Sequence, residues 1–160
     1  MPETVLRSSP RSRIATVLVA LAAALALLLN PTASPSAEAA VPAGVSAKAL
    51  GVAAQQKGIR YRYGGTSPRT GFDCSGLTGY AYRKAGKKLP RTAKAQYARS
   101  KKIRRASARP GDLVFFYRGG RIYHVGIYAG GGKMWHSPRP GKRVSKVKIW
   151  TNRVHFGRVR

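Results

Sequence analysis

Apolar and polar positions along the chain follow three patterns in succession. The first is an uncharged apolar run from Ile14 to Leu29, preceded by Arg7, Arg11 and Arg13 and followed by a small-residue stretch holding Ala37-Glu38-Ala39. A basic head, a short apolar middle and an A-x-A site are the parts of a secretory signal peptide. The run falls short of the ~18–20 residues a spanning helix needs, so residues 1–39 are expected to be a cleaved signal rather than a membrane anchor. Residues 40–45 follow as a short flexible lead-in. The second pattern is helical. Ser46 reads as the N-cap of a helix from Ala47 to about Lys57, with Gly58 as its stop. Leu77, Tyr80 and Ala81 recur at helical spacing up to Gly86, which predicts a helix beginning at or just before Cys74. Thr92 is placed to cap a short helix through Gln96 to Arg99. Between the first two helices, residues 61–71 carry three glycines and a proline and read as a loop.

The third pattern is that of strands. Pro110-Gly111-Asp112 is a turn signal before the β-prone run Leu113-Val114-Phe115-Phe116-Tyr117. Arg118 to Arg121 turns the chain into a strand over 122–129, with Val125, Ile127 and Ala129 on one face and His124, Gly126 and Tyr128 on the other. Gly130 to Gly132 makes a hairpin to a strand over 133–137, and residues 144–150 and 154–159 alternate well enough for two more. Helices first and strands later predict an α+β domain over 46–160, its N-terminal helices packed on a central antiparallel sheet.

Without the signal, 121 residues remain, enough to bury a core without disulfides. Cys74 is the one cysteine. A lone thiol in an oxidising compartment is either a buried inert residue or a functional one. Of 31 basic residues three lie in the signal, as do two of the four acids, so 28 stand against Asp73 and Asp112 and the mature net charge is +26. Such a surplus attracts polyanions within a Debye length. For an exported protein these are wall polymers, anionic lipid headgroups and extracellular DNA; no specific nucleic-acid partner is expected.

At a helix start, first-turn N–H groups lack intrahelical partners and the dipole adds positive charge. Both favour a thiolate at Cys74, the nucleophilic form, and the same donors can hold an oxyanion. A thiol nucleophile needs a base oriented by a third group. His124 and His136 lie on neighbouring strands, where cross-strand side chains meet. His155, near the C-terminus, reads as structural or exposed. Zinc competes for this Cys/His set, but no C-x-x-C or H-x-x-x-H pair is present, so neither a metal nor another cofactor is expected.

Four blocks then stand in order: Arg60-Tyr61-Arg62-Tyr63-Gly64-Gly65, Gly71-Phe72-Asp73-Cys74-Ser75-Gly76-Leu77, Pro110-Gly111-Asp112-Leu113-Val114-Phe115-Phe116 and His124-Val125-Gly126-Ile127-Tyr128. Over about residues 46–160 the chain resembles the NlpC/P60 family of papain-like cysteine peptidases, which hydrolyse peptidoglycan stem peptides, typically between D-γ-glutamate and the following diamino acid. The resemblance implies Cys74 as nucleophile, His124 as base and then acid, and His136 as its orienting partner. It implies that Tyr61 lines the site and assists the oxyanion hole, and that Asp73 and Ser75 hold the free amine of a stem peptide's N-terminal alanine. Asp73 is equally suited to cap the Cys74 helix. Asp112 reads as a turn residue, and Arg91, Thr92 and Gln96 as either substrate contacts or packing. The expected protein is a secreted, wall-associated monomer acting on stem peptides, with anionic wall polymers held by its basic surface. A cationic binder that no longer catalyses, and an amidase or acyltransferase on another substrate, are the competing readings.

Overall fold

The structure, a computed structural model, describes residues 43–160. The expected signal peptide and residues 40–42 of the lead-in lie outside the described residues. Three helices precede most of the strands: α1 (Ala43–Gln55), α2 (Cys74–Lys84) and α3 (Ala93–Arg99). A small hairpin, β1 (Thr66–Ser67) with β2 (Gly71–Phe72), closes the loop before α2. The remaining strands are β3 (Lys101–Ile103), β4 (Leu113–Arg118), β5 (Arg121–Gly130), β6 (Lys133–His136), β7 (Ser145–Lys148) and β8 (Val154–Arg158). They form one six-stranded antiparallel sheet in the order β3-β8-β4-β5-β6-β7. The α+β class expected from the sequence is therefore the class observed. No helix among the described residues is long and apolar enough to cross a membrane.

The middle of the sheet explains the run Leu113–Phe116. Strand β4 lies between β8 and β5, and all four residues are buried. Leu113 and Phe115 join the core with Leu77, Tyr82, Val125 and Ile127. Val114 and Phe116 point the other way, into a second cluster with Met134 and Phe156. A strand covered on both faces has no reason to alternate apolar with polar residues. Its hairpin to β5, and that from β5 to β6, turn on Gly119-Gly120 and Gly131-Gly132, all four with positive φ. Two successive residues of that conformation match the twist of the strands they join, and glycine adopts it without steric cost.

Helix α1 begins at or before Ala43, so Ser46 is not its N-cap and residues 43–45 are helix rather than lead-in. The cause is tertiary. The Ser46 side chain lies beside the Tyr82 phenol, and a Cβ on Gly111 would come within 2.6 Å of the Ser46 carbonyl oxygen. Tyr82, fully buried, donates its hydroxyl to the Gly111 carbonyl at 2.6 Å. Contacts of this kind hold the first turns of α1 where an exposed serine would have capped. Edge strand β3 has no counterpart among the sequence expectations; its three residues, two of them lysines, become a strand by pairing with β8.

Candidate active site

The turn into α2 is built from backbone constraints. Asp73 is the N-cap of α2, its Oδ1 accepting the Gly76 N–H at 2.7 Å while Oδ2 accepts the Gly64 N–H at 3.0 Å. The Asp73 N–H in turn donates to the Gly65 carbonyl at 3.1 Å. A Cβ on Gly76 would lie 2.0 Å from that same carbonyl oxygen, so only glycine lets the first turn of α2 lie against the Gly64-Gly65 loop. This contact links two of the sequence blocks physically. Tyr61 is fixed nearby, its N–H donating to the Lys142 carbonyl at 2.8 Å and its backbone bridging to Phe72. Ser137, fully buried, donates its hydroxyl to the Phe72 carbonyl at 2.6 Å. It therefore joins the strand end carrying His136 to the segment leading into Cys74, a link that sequence reasoning did not foresee.

Cys74 is half-buried and lines a cleft of about 450 Å³ with Tyr61, Tyr63, Arg91, Lys94 and Tyr123. Burial pushes the thiol up from its usual value; the N–H of Val125 on β5 and that of Ser75 act against this, and the nearby Asp73 carboxylate adds to it. The expectation that the helix start would favour the thiolate is thus corrected. First-turn donation does reach the sulfur, but desolvation of a charged sulfur outweighs it. Burial, then Cys74 and Asp73, likewise raise the Tyr61 phenol, which keeps it a hydrogen-bond donor.

His124 and His136 are both buried, and His124 Nε2 lies 2.9 Å from His136 Nδ1. They stand on adjacent strands, with rings nearly perpendicular at 84°. Phe116 and the half-exposed Trp150 pack against them. Trp150 stacks on Phe116 at 4.3 Å, with its centroid 6.0 Å from His124 and 5.5 Å from His136. Burial, with His136 beside it, pulls His124 down to about 3, and burial pulls His136 down to about 4. Both imidazoles are neutral at physiological pH, so one donates and the other accepts across their bond. Cys74 packs against the core cluster that includes Val125, the residue after His124 on the same strand. His155 is elsewhere, an exposed residue of β8 stacked between Tyr97 of α3 and Tyr117 of β4. Among the described residues no three His, Cys, Asp or Glu side chains group as metal ligands.

The two acids each hold an arginine. Asp112 receives Arg158 through both oxygens at 2.8 Å and the Arg109 N–H at 2.7 Å, which makes it a structural turn residue. Asp73 receives Arg91, whose Nη1 also donates to Ser75 Oγ at 3.0 Å. The open choice at Arg91, Thr92 and Gln96 separates by residue. Thr92 caps α3 by accepting the Ala95 N–H. Buried Gln96 donates to the Ser75 and Pro90 carbonyls and accepts from Thr78. Arg91 and Thr92 both line the cleft, and Gln96 does not.

Known proteins resemble this chain in sequence and, among solved structures, in fold. The bifunctional muramidase/DL-endopeptidase CwlT of Bacillus subtilis is 46% identical over 114 residues, covering 68% of this chain and 35% of that protein. The murein DD-endopeptidase MepH of Escherichia coli is 48% identical over 100 residues, covering 59% of this chain and 37% of that one. The chain thus spans little more than a third of the length of either. Among solved structures, the NlpC/p60 domain of the peptidoglycan hydrolase SagA matches with TM-score 0.64 and 34% identity, over 72% of this chain and 98% of that domain. The P60 domain of antigen MAP1204 from M. avium subspecies paratuberculosis matches with TM-score 0.65 and 29% identity, over 72% and 94%. The NlpC/P60 family model covers residues 58–158, from the residue before Ile59 to the last residue of β8, and with it the cleft, the histidine pair and every strand of the sheet: the chain belongs to the NlpC/P60 family.

Proposed function

We propose that this chain is a secreted cysteine endopeptidase that hydrolyses an amide bond in peptidoglycan stem peptides, between D-γ-glutamate and the diamino acid. Cys74 acts as nucleophile, His124 as base and acid, and His136 as the residue that orients His124. The observation that carries this reading is the 2.9 Å bond between His124 Nε2 and His136 Nδ1, with Cys74 at the start of α2 packed against the core that includes Val125, the residue after His124. With Nε2–H donated to His136, the free lone pair of His124 lies on Nδ1, the atom assigned to the thiol proton. The sulfur attacks the peptide carbonyl carbon as its proton passes to His124. First-turn N–H groups of α2 and the Tyr61 hydroxyl receive the oxyanion. Collapse of the tetrahedral intermediate expels the amine, protonated by His124, and leaves a thioester. Water then attacks the thioester, giving its proton to His124 and releasing the acid and the free thiol.

The relatives favour two different bonds. The name of CwlT specifies a DL-endopeptidase and that of MepH a DD-endopeptidase, so cleavage of the D,D cross-link is the second reading. Digesting purified walls with the unaltered chain and with Cys74→Ala, followed by mass spectrometry, tests both. Release by the unaltered chain of fragments ending in D-γ-glutamate is the expected result. Intact stems released from their cross-links would move the assignment to the D,D bond. Equal release by both proteins, or none, would leave a binder rather than a peptidase.

Secretion through cleavage after residue 39, a monomeric mature chain and wall association through the basic surface complete the proposal. A cavity of about 900 Å³ adjoins the cleft, sharing Lys94 and Ile122 with it and adding Lys102 and Arg121 around Tyr97 and Tyr117. It offers anionic wall polymers a basic lining. Such attraction is screened by salt, so sedimentation with purified walls is expected to fall several-fold between low and high ionic strength. Retention independent of salt would remove electrostatics from wall association.

A further inference from the structure

Three large apolar side chains stand exposed among the described residues: Tyr63, Tyr123 and Trp150. The two tyrosines line the cleft that holds Cys74, and Trp150 does not. It belongs to the segment between β7 and β8, which is tied down on both sides of it. The Ile149 N–H donates to the Gly132 carbonyl at 2.8 Å, and the Arg153 carbonyl accepts the Tyr117 N–H at 3.3 Å. Arg105 Nη1 donates to Asn152 Oδ1 at 3.0 Å. The indole is therefore held in one place, against the histidine pair. One ring face stacks on Phe116 at 4.3 Å and 18°. Its centroid stands 5.5 Å from the His136 ring and 6.0 Å from the His124 ring. A side chain 53% exposed thus lies against two that are 5% and 6% exposed. Filling space beside Phe116 would take any apolar side chain. Reaching Phe116 and both imidazoles at once takes a broad flat ring.

Charged and titratable groups around the pair come from several elements. The Cys74 thiol stands at the start of α2, and Tyr123 packs on Phe116 from β5. Beyond β6, Arg139, Lys142 and Arg143 line a cavity of about 540 Å³ with His136. Arg153 follows in the segment that carries Trp150. None of these lowers the imidazoles: at His136 the cause is burial, and at His124 burial first and the partner ring second. What covers the rings therefore decides when they take a proton, because an imidazolium is stabilised by water and not by an apolar surround.

Resting on the peptidase reading above, we infer that Trp150 is a positioning residue of the active site, which shields the His124–His136 pair from water on the side of the β7–β8 segment and holds the two rings in their hydrogen-bonding arrangement. The base is thereby kept free of a competing proton, and the enzyme goes on cutting in surroundings acidic enough to protonate an exposed histidine. Trp150 touches neither substrate nor thiol in this role.

Trp150→Ala and Trp150→Leu in the full chain test this, leucine keeping an apolar side chain without the reach of an indole. The histidine rings are titrated by NMR, with exposed His155 as internal reference. The midpoints of His124 and His136 are expected to rise by about two pH units in the alanine variant, toward the ordinary value near 6.5, and by less in the leucine variant. High salt is expected to leave that rise in place, since it screens the cations near His136 and does not restore a lost apolar cover. On a soluble stem tetrapeptide, kcat/KM of the unaltered chain is expected to be flat from about pH 7.5 to 5, and that of Trp150→Ala to fall about threefold or more, in kcat rather than KM. Melting curves give a sign that packing alone would not. Trp150→Ala is expected to melt below the unaltered chain at neutral pH. As the pH drops below 6.5 the unaltered chain loses stability through its shielded pair and the variant loses less, so the gap in Tm narrows. Midpoints unmoved in both variants, a Tm gap constant with pH, or a loss confined to KM would overturn the inference. Should the alanine variant not fold, the leucine variant carries the same readings. Midpoints and melts need no substrate, so they judge Trp150 even where the unaltered chain leaves walls uncut, an outcome that sinks the peptidase reading alone.

Discussion

Replacing His124 with alanine is expected to lower kcat/KM on stem peptides by about four orders of magnitude, and Cys74→Ala by at least as much. In the free cleft both partners are neutral: burial holds the Cys74 thiol above its usual value and His124 down near 3. On the proposed mechanism the sulfur becomes an effective nucleophile only by passing its proton to His124 as it attacks, so losing the base leaves a weakly nucleophilic thiol. His136→Ala removes the acceptor at 2.9 Å that sets the His124 tautomer and is expected to cost about a hundredfold. His136→Asn, whose amide oxygen can accept the same bond, is expected to recover about tenfold of that. Recovery by asparagine is a signature that a purely space-filling role for His136 would not give. Because the neutral pair is the reactive protonation state, kcat/KM should be flat through pH 6.5, where an unperturbed histidine titrates. A fall centred near pH 6.5, or His124→Ala within tenfold of the unaltered chain, would remove His124 from its assigned role.

The same two histidines make the fold acid-sensitive. In the unfolded chain each takes a proton near pH 6.5; in the folded chain they do so only near 3 and near 4. Between those limits the unfolded state binds more protons, so stability is undiminished above pH 6.5 and is lost as pH falls toward 4 and then 3. Each unit of separation corresponds to about 1.4 kcal/mol, and the loss by pH 4 is on the order of 5 kcal/mol, comparable to the whole stability of many small domains. Thermal melts from pH 7.5 to 4 are expected to show a steep fall in Tm below pH 6.5, and His124→Asn with His136→Gln a shallower one. A Tm independent of pH across that window would mean that the pair is protonated in the folded protein.

Local signals accounted for most of the elements that carry the site. The start of α2 at Cys74, the Thr92 cap and the two glycine turns are set within a few residues, by caps and backbone preferences that act at short range. The approach of His124 to His136 was also legible, because two strands joined by a short hairpin must be neighbours. The start of α1 was not, since its first turns are held by Tyr82 and Gly111, far along the chain. Nor was strand β3, whose lysine-rich residues become a strand only through β8. The direction of the Cys74 shift was misjudged for a related reason: a helix start is visible in sequence, whereas the burial that outweighs it depends on what packs around the sulfur.

By itself, the order of residues determined the α+β class, the helix that begins at the cysteine and the hairpin that pairs two histidines. These follow from rules of short range, where caps, turns and periodicity are properties of neighbouring residues. Tertiary structure alone decided that Arg91 spends its fork on Asp73, that Ser137 ties the His136 strand to the cysteine loop, and that thiol and imidazoles are all neutral at rest. The physical reason is that desolvation and charge pairing depend on distance through space, and residues 73 and 91, or 72 and 137, become neighbours only when the sheet closes over the helices.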